Sequence, residues 1–399
     1  MSSVPTPSAA PGAEVSVGGR TARRQRHAAG ALLRLALIRE GKPPPELTGR
    51  LLARTTDTTL LGLARYHGVG GWLYEAVVDR GDVSAVLMAG LEEEHSAAVQ
   101  GHLHGLWQLT RIATTLHAAD VRWVVVKGPV LVDLLHGPLG RRHYKDLDVL
   151  VHPAEFRVAI AALEADGGAL LDRNWPLLRR DQRAQVHVAT PSGLDLDLHW
   201  DLVNTNRRRM AIDTDAILGR RETVDLGGLS VPTLDPTDSL IHLAVHAAVS
   251  GGDKLLWIKD IERSAARRPP DWDALVERAR AWHVAGSVGL MLDRAMRVLR
   301  ADVPADVPRA LLGRRLRDLV ELLDRVEPLE TSKGGPTPGR TVARAIGHGA
   351  VGGTVVMAKR FQRHFDPREP ARSSPFTPAG TDADREAYLD GVVSDGARG

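Results

Sequence analysis

The stretch Leu194-Asp195-Leu196-Asp197-Leu198-His199-Trp200-Asp201 alternates apolar and polar residues without a break. Successive side chains of a β-strand point to opposite faces, so a strand sorts this pattern cleanly. One face carries Asp195, Asp197, His199 and Asp201; the other carries Leu194, Leu196, Leu198 and Trp200. A helix would spread the acids around its circumference and leave leucines in water. Asp146-Leu147-Asp148-Val149-Leu150-Val151 makes the same demand, with Asp146 and Asp148 on one side and Leu147, Val149 and Val151 on the other. The chain must therefore build a sheet with an acidic region on one face.

Carboxylates on neighbouring strands repel one another unless cations sit between them. Mg²⁺ takes a few carboxylates together with phosphate oxygens and water. Two such ions, about 3.5–4 Å apart, clamp the attacking and leaving oxygens of an in-line phosphoryl displacement. A lone Asp-x-Asp would be the solvent face of a half-exposed strand. Two acidic strands, one of them soon after a Lys-Gly turn, favour a metal site.

That turn is Lys127-Gly128. It follows the apolar run Trp123-Val124-Val125-Val126, the pattern of a strand buried on both faces. It precedes a short helix over Val130–His136, with Pro129 near its first turn. Glycine lets backbone N–H groups approach phosphate oxygens, and a helix N-terminus favours anions. Lys127 adds a point charge.

Helical spacing of apolar residues predicts a helical region over 27–117, and helices resume from Asp235-Pro236 to about residue 330. The core between them spans 118–231. It includes a hairpin from Gln185–Ala189 through Thr190-Pro191-Ser192-Gly193 to Leu194–Leu202. Residues 1–26, rich in Ser, Pro, Ala and Gly and closing in arginines, read as a disordered tail, and 331–399 as a linker and largely disordered tail.

The absence of cysteine excludes disulfides, thiolate zinc sites and Cys nucleophiles, and makes a cytoplasmic location the simplest reading. No run of about 18 apolar residues offers a membrane span. A net charge of +3 and an aromatic content of 4% do not favour a nucleic-acid groove, which needs a basic track with stacking rings.

Three other signals are set aside. His242 and His246 lie four apart on a predicted helix but lack the glutamate of His-Glu-x-x-His, so packing is the better account. Gly334-Gly335-Pro336-Thr337-Pro338-Gly339-Arg340-Thr341 imitates a P-loop, but Arg340 replaces the required lysine and no strand precedes it. It reads as a linker. His67-Gly68-Val69-Gly70-Gly71 sits between helices and fails as a dinucleotide loop.

The order strand, Lys127-Gly128, short helix, Arg142, Asp146-Leu147-Asp148, then Asp197-Leu198-His199-Trp200 resembles the uncharacterised nucleotidyltransferase family of the polymerase-β superfold. The downstream His242, His246, Trp257, Asp260-Ile261 and Asp271-Trp272 resemble that family's helical C-terminal half, so the likeness spans roughly residues 45 to 300. The superfold's usual Gly-Ser turn is here Lys127-Gly128-Pro129.

The resemblance implies an α+β fold: a polymerase-β-like core with a mixed sheet, flanked by N- and C-terminal helical regions. It implies a nucleoside triphosphate as co-substrate, two Mg²⁺ ions and transfer of a nucleoside monophosphate to an acceptor hydroxyl; the few aromatic residues favour a small molecule or peptide over RNA. Asp146 and Asp148 would bridge both metals, and Asp197 would bind the catalytic one and orient the attacking group. Asp195 is its rival for the third position. Lys127, Gly128 and Arg142 would meet the phosphates, Arg142 alternatively bracing the carboxylates. His199 reads as a satisfied strand histidine, or else as a support to the metals or a base for the acceptor. The alternatives are a non-catalytic nucleotide-binding module of the same fold and an RNA-end or protein-modifying transferase.

Overall fold

The apolar run becomes β1 (Trp123–Val125) and the Asp-x-Asp segment becomes β2 (Asp146–Val151), with the pair antiparallel. The computed structural model describes residues 13–191, 193–204, 210–347 and 374–396. Beyond β2 come β3 (Ala169–Leu170), β4 (Gln185–Ala189), β5 (Asp195–His199), β6 (Glu222–Leu226) and β7 (Leu229–Thr233). They form one mixed sheet in the order β3-β4-β5-β2-β1-β7-β6, with β2–β5 and β1–β7 parallel. The hairpin expected at 185–202 is β4–β5, although its turn residue Ser192 lies outside the described residues. The β6–β7 hairpin is an addition to the sequence reading. Its turn is Gly227-Gly228, both at positive φ, which suits the twist of a two-residue connection.

Helices α1 (Ala13–Ile38), α2 (Pro45–Leu52), α3 (Asp57–His67), α4 (Gly70–Val77) and α5 (Ala85–Ala118) precede the sheet. Within and after it lie α6 (Pro129–Leu131), running into a π-helical turn Val132–His136, then α7 (Phe156–Ala165), α8 (Trp175–Arg180) and α9 (Thr214–Gly219). The chain continues through α10 (Pro236–Ser250), α11 (Leu255–Arg267), α12 (Trp272–Ala281), α13 (Ala285–Leu299), α14 (Asp306–Leu311) and α15 (Arg314–Val326), and a C-terminal helix spans Asp382–Gly396. Among the described residues no helix is long and apolar enough to cross a membrane.

The period-two pattern decides which helices cover which face. Val125, Leu147, Val149, Leu196 and Leu198 pack with α5, α7 and the C-terminal helix through Leu109, Ile112, Phe156 and Tyr388. Val124, Val126 and Leu150 face the other way, into a core shared with α1, α10, α11 and α13 through Leu32, Leu240, Ile258 and Leu290. The acids lie on this second face.

Three sequence readings need correction. Residues 1–26 do not form a tail throughout, because α1 begins at Ala13, while residues 1–12 lie outside the described residues. The helix is anchored by its later turns, where Ala29, Leu32, Leu33 and Leu37 are buried, and the Ala- and Arg-rich stretch before them extends it. The C-terminal segment is not wholly unstructured either. Tyr388, Leu389 and Val392 are buried, and the Tyr388 hydroxyl donates to the Arg183 carbonyl at 2.9 Å. Residues 348–373 and 397–399 of that expected stretch lie outside the described residues. The P-loop-like segment is no free linker, because Arg340 is buried and donates to Asp253 Oδ2 at 2.7 Å and to the Tyr66 hydroxyl.

The glycines of His67-Gly68-Val69-Gly70-Gly71 also find their reason. Gly68 ends α3 in the left-handed conformation at φ 70°. A Cβ on Gly71 would stand 1.8 Å from the Gly140 carbonyl oxygen, so α4 and the loop before β2 touch backbone to backbone. Gly71→Ala should therefore destabilise the protein by about 1–3 kcal/mol or more by overpacking. Gly62→Ala, in the interior of α3 with open space at its Cβ, should stabilise by up to about 1 kcal/mol. Urea unfolding of both variants checks this, and equal effects would refute the close approach.

Candidate active site

The parallel pairing of β2 and β5 sets Asp146 beside Asp195, Asp148 beside Asp197 and Leu150 beside His199. A one-residue slip would turn Leu147, Val149, Leu196 and Leu198 out of their core, so burial fixes the register that gathers the acids. On the far side of β5, β4 pairs His187 with Asp197 and Gln185 with His199.

Asp148 is the hub. Its Oδ1 lies 3.0 Å from Lys127 Nζ and 3.2 Å from His199 Nε2. Asp197 accepts from Gln185 Nε2 on Oδ2, and its Oδ1 is 3.5 Å from His187 Nε2. His187 is oriented in turn by Asp172, which takes the backbone N–H of His187 at 2.7 Å and contacts Nδ1 at 2.8 Å. Asp195 is exposed at the open end of β5.

The electrostatics are unbalanced. Burial would raise the Asp148 carboxyl, but Lys127 and His199 override it and hold the group well below the usual carboxylate range. Burial pushes Asp197 up to about 6; His199 and His187 resist while Asp148 and Asp146 add repulsion. Asp146 is raised by burial and then by Asp148, with Lys127 opposing. One ammonium group thus serves several carboxylates.

A divalent cation fits this donor set. Ligand atoms of Asp148, Asp197 and His199 lie within 4.8 Å of one another. His199 Nδ1 is buried without a hydrogen-bond partner, and Asp197 lacks the positive charge that would ionise it readily. Asp146 lies outside this tight trio but lines the cleft beside it.

The cleft, of about 330 Å³, runs between the acidic face and helices α10 and α11, and Lys127, Gly128, Arg142, Asp146 and Asp148 all line it. Gly128, at φ 68° and ψ −123°, holds a conformation that suits glycine, and it turns the chain from β1 into α6. Arg142 donates from Nε at 2.9 Å and Nη2 at 3.0 Å to Asp260, so it braces a carboxylate, though one on α11 instead of the strands. Its Nη1 is buried without a partner. His136 contacts the same Asp260 through Nε2 at 2.7 Å. His246 stands on the cleft wall, edge-on to Trp257 at 5.7 Å, and its pKa is lowered to about 3 by Lys127 and burial. His242 is buried beside it.

Sequence reasoning passed over His187, Asp172, Gln185, Lys145 and Lys254. Counting back across the hairpin turn, in the period that placed Asp197, would have found His187 and Gln185. No local pattern marks the two lysines, which the fold brings to the cleft from β2's approach and from the start of α11.

A family described as an uncharacterised nucleotidyltransferase matches residues 54–300, more than half of the chain. No curated protein matches it.

The braces carry a pH signature. Burial pushes His136 down to about 4 despite Asp260, and pushes His67 down to about 4, where its Nδ1 accepts from the Leu255 N–H and its Nε2 contacts the Glu330 carbonyl at 3.1 Å. Between about 6.5, the ordinary histidine value, and 4 the unfolded chain binds these protons and the folded one does not. Stability is therefore complete above that window and falls as the pH drops through it, by up to about 1.4 kcal/mol per pH unit for each histidine. Denaturant unfolding from pH 7 to 4 should show this slope, and His67→Gln should lower it by about one proton. An unchanged slope would contradict the neutral, buried state of His67.

Proposed function

The chain belongs to the uncharacterised nucleotidyltransferase family, and from that footing we propose that it moves a nucleoside monophosphate from a nucleoside triphosphate to an acceptor hydroxyl. The acceptor oxygen attacks the α-phosphorus, the bond to the bridging oxygen breaks, and pyrophosphate leaves. The observation that carries this reading is the parallel register of β2 and β5, which sets Asp197 beside Asp148, a residue that lines the cleft with Lys127. A polymerase-β-like core is the architecture we assign to it.

Asp146, Asp148 and Asp197 are the proposed metal ligands, with His199 a neighbour of the last two. Mg²⁺ held there would neutralise phosphate charge and align the attacking and leaving oxygens. A cation held by Asp148 would compete with Lys127 for that carboxylate, and the Lys127 ammonium would then be available to a phosphate oxygen at the turn where β1 gives way to α6. Gly128 lets backbone N–H groups approach the same anion. Asp197 orients the acceptor hydroxyl, and His187 and Gln185 keep its carboxylate in place. Positioning supplies most of the catalysis. A small molecule or peptide is the favoured acceptor, given the few aromatic side chains for stacking RNA.

Asp146→Asn and Asp148→Asn should each abolish metal-dependent transfer of label from a triphosphate while leaving the thermal melt cooperative, and EDTA should do the same to the unaltered protein. Near-normal turnover in either variant would overturn the metal assignment. Asp197→Asn should lose activity by orders of magnitude and Asp195→Asn by much less, since Asp195 is exposed at the strand end. Single-turnover kinetics with the opposite ranking would move the third ligand to Asp195.

A further inference from the structure

Five basic side chains line the cleft, and three of them are already engaged. Arg65 pairs with Glu94 at 3.0 Å and Glu93 at 3.1 Å, Lys127 with Asp148, and Arg142 with Asp260. Lys145 and Lys254 have no carboxylate partner among the described residues, yet both face the same space. The acid next to Lys254 makes no ion pair with it. Asp253 is buried, and its Oδ2 accepts from Arg340, the Tyr66 hydroxyl and the Ser332 hydroxyl.

Lys254 is nonetheless held in place. Its ammonium lies 5.1 Å from the Trp257 ring centroid and 5.7 Å from that of Tyr66, a pair of aromatic faces that attract a cation without neutralising it. Burial pushes the Lys254 ammonium down, Asp253 resists, and Lys145 and Arg340 push it down further. Lys145 therefore acts on Lys254 as a like charge across the opening. Two lysines that line one cleft, neither in an ion pair among the described residues, are stabilised by an anion between them.

We propose that Lys145 and Lys254 form a clamp for the polyphosphate tail of the nucleotide, with Trp257 and Tyr66 holding Lys254 in position. This rests on the transfer reading for its choice of anion. It adds that the tail is gripped by residues from opposite walls, Lys145 just before β2 and Lys254 at the start of α11. The clamp touches neither base nor sugar, so it selects for the number of phosphates and is indifferent to the nucleobase. Lys127 serves the phosphate nearest the carboxylates, and the clamp serves the phosphates that leave.

The test is calorimetry on the full chain with Mg²⁺, using ATP, inorganic tripolyphosphate and AMP as probes. Lys145→Ala and Lys254→Ala should each weaken ATP and tripolyphosphate about tenfold or more, the double variant further, and AMP hardly at all. Lys254→Arg, which keeps the charge, should recover most of the loss, separating the clamp from a merely structural effect. If both alanine variants bind tripolyphosphate as tightly as the unaltered protein, the clamp is wrong and the transfer reading is untouched. If they lose tripolyphosphate while the unaltered protein moves no label from any triphosphate, the clamp stands as a polyphosphate site and the transfer reading fails.

Discussion

Asp260, a carboxylate with 2% of its surface exposed, joins the two walls of the cleft. It sits on α11 and receives Arg142, from the loop before β2, through two parallel hydrogen bonds. Such a pair costs several kcal/mol to desolvate for each ion, and it is recovered when the geometry is bidentate and the remaining lone pairs are filled. His136 fills one of them. Asp260 is accordingly held below the usual carboxylate range: burial would raise it, but Arg142 and His136 prevail. Without that joint the loop carrying Arg142, Tyr144 and Lys145 would have no fixed distance from Lys254 and Trp257. Removing one partner would leave a charge buried and unpaired, which is the expensive way to break such a contact.

The opposite economy holds a few residues further on. Around Asp148 the charges are left partly unsatisfied: Asp146 and Asp197 are both pushed up, and the Lys127 ammonium makes its direct ion pair with Asp148. The scaffold is locally consistent wherever it only has to stand, as in the leucines and valines behind the acids. It is inconsistent where like charges are packed together, the kind of conflict that clusters at functional sites. Here the conflict lies on the sheet face that α10 and α11 cover, at the end where the apolar residues Val124, Val126 and Leu150 give way to carboxylates.

What could be read in the sequence follows from how strictly each feature is periodic. Period two is unforgiving, so the face of β2 that carries Asp146 and Asp148 and the face of β5 that carries Asp195, Asp197 and His199 followed from the apolar positions, whereas the parallel pairing that sets Asp148 beside Asp197 did not. The β4–β5 hairpin followed from its turn. The β6–β7 hairpin was passed over although Thr223-Val224-Asp225-Leu226 alternates and Gly227-Gly228 offers a two-residue turn. Arg142 was placed between two roles since its partner, Asp260, is 118 residues away. The reach of α1 back to Ala13 and the docking of the C-terminal helix were hidden by composition. Ala, Gly, Ser and Arg look unstructured until a few anchors such as Leu33 or Tyr388 are known to be buried.

The family match ends at residue 300, but the physical support of the site does not. Arg340 lies beyond it and ties Asp253 and Tyr66 together directly behind Lys254. Tyr388 lies further still, and its ring packs in the core beneath β5 while its hydroxyl and the Trp200 indole both meet the Arg183 carbonyl. From the other end, α1 supplies the Leu37 carbonyl that accepts from Lys259 Nζ at 3.1 Å, one residue before Asp260. These three contacts reach the cleft wall, the strand that carries Asp197 and the Arg142 brace in turn. Substitutions in the flanks therefore act on the site through packing, at a distance from the residues that line it.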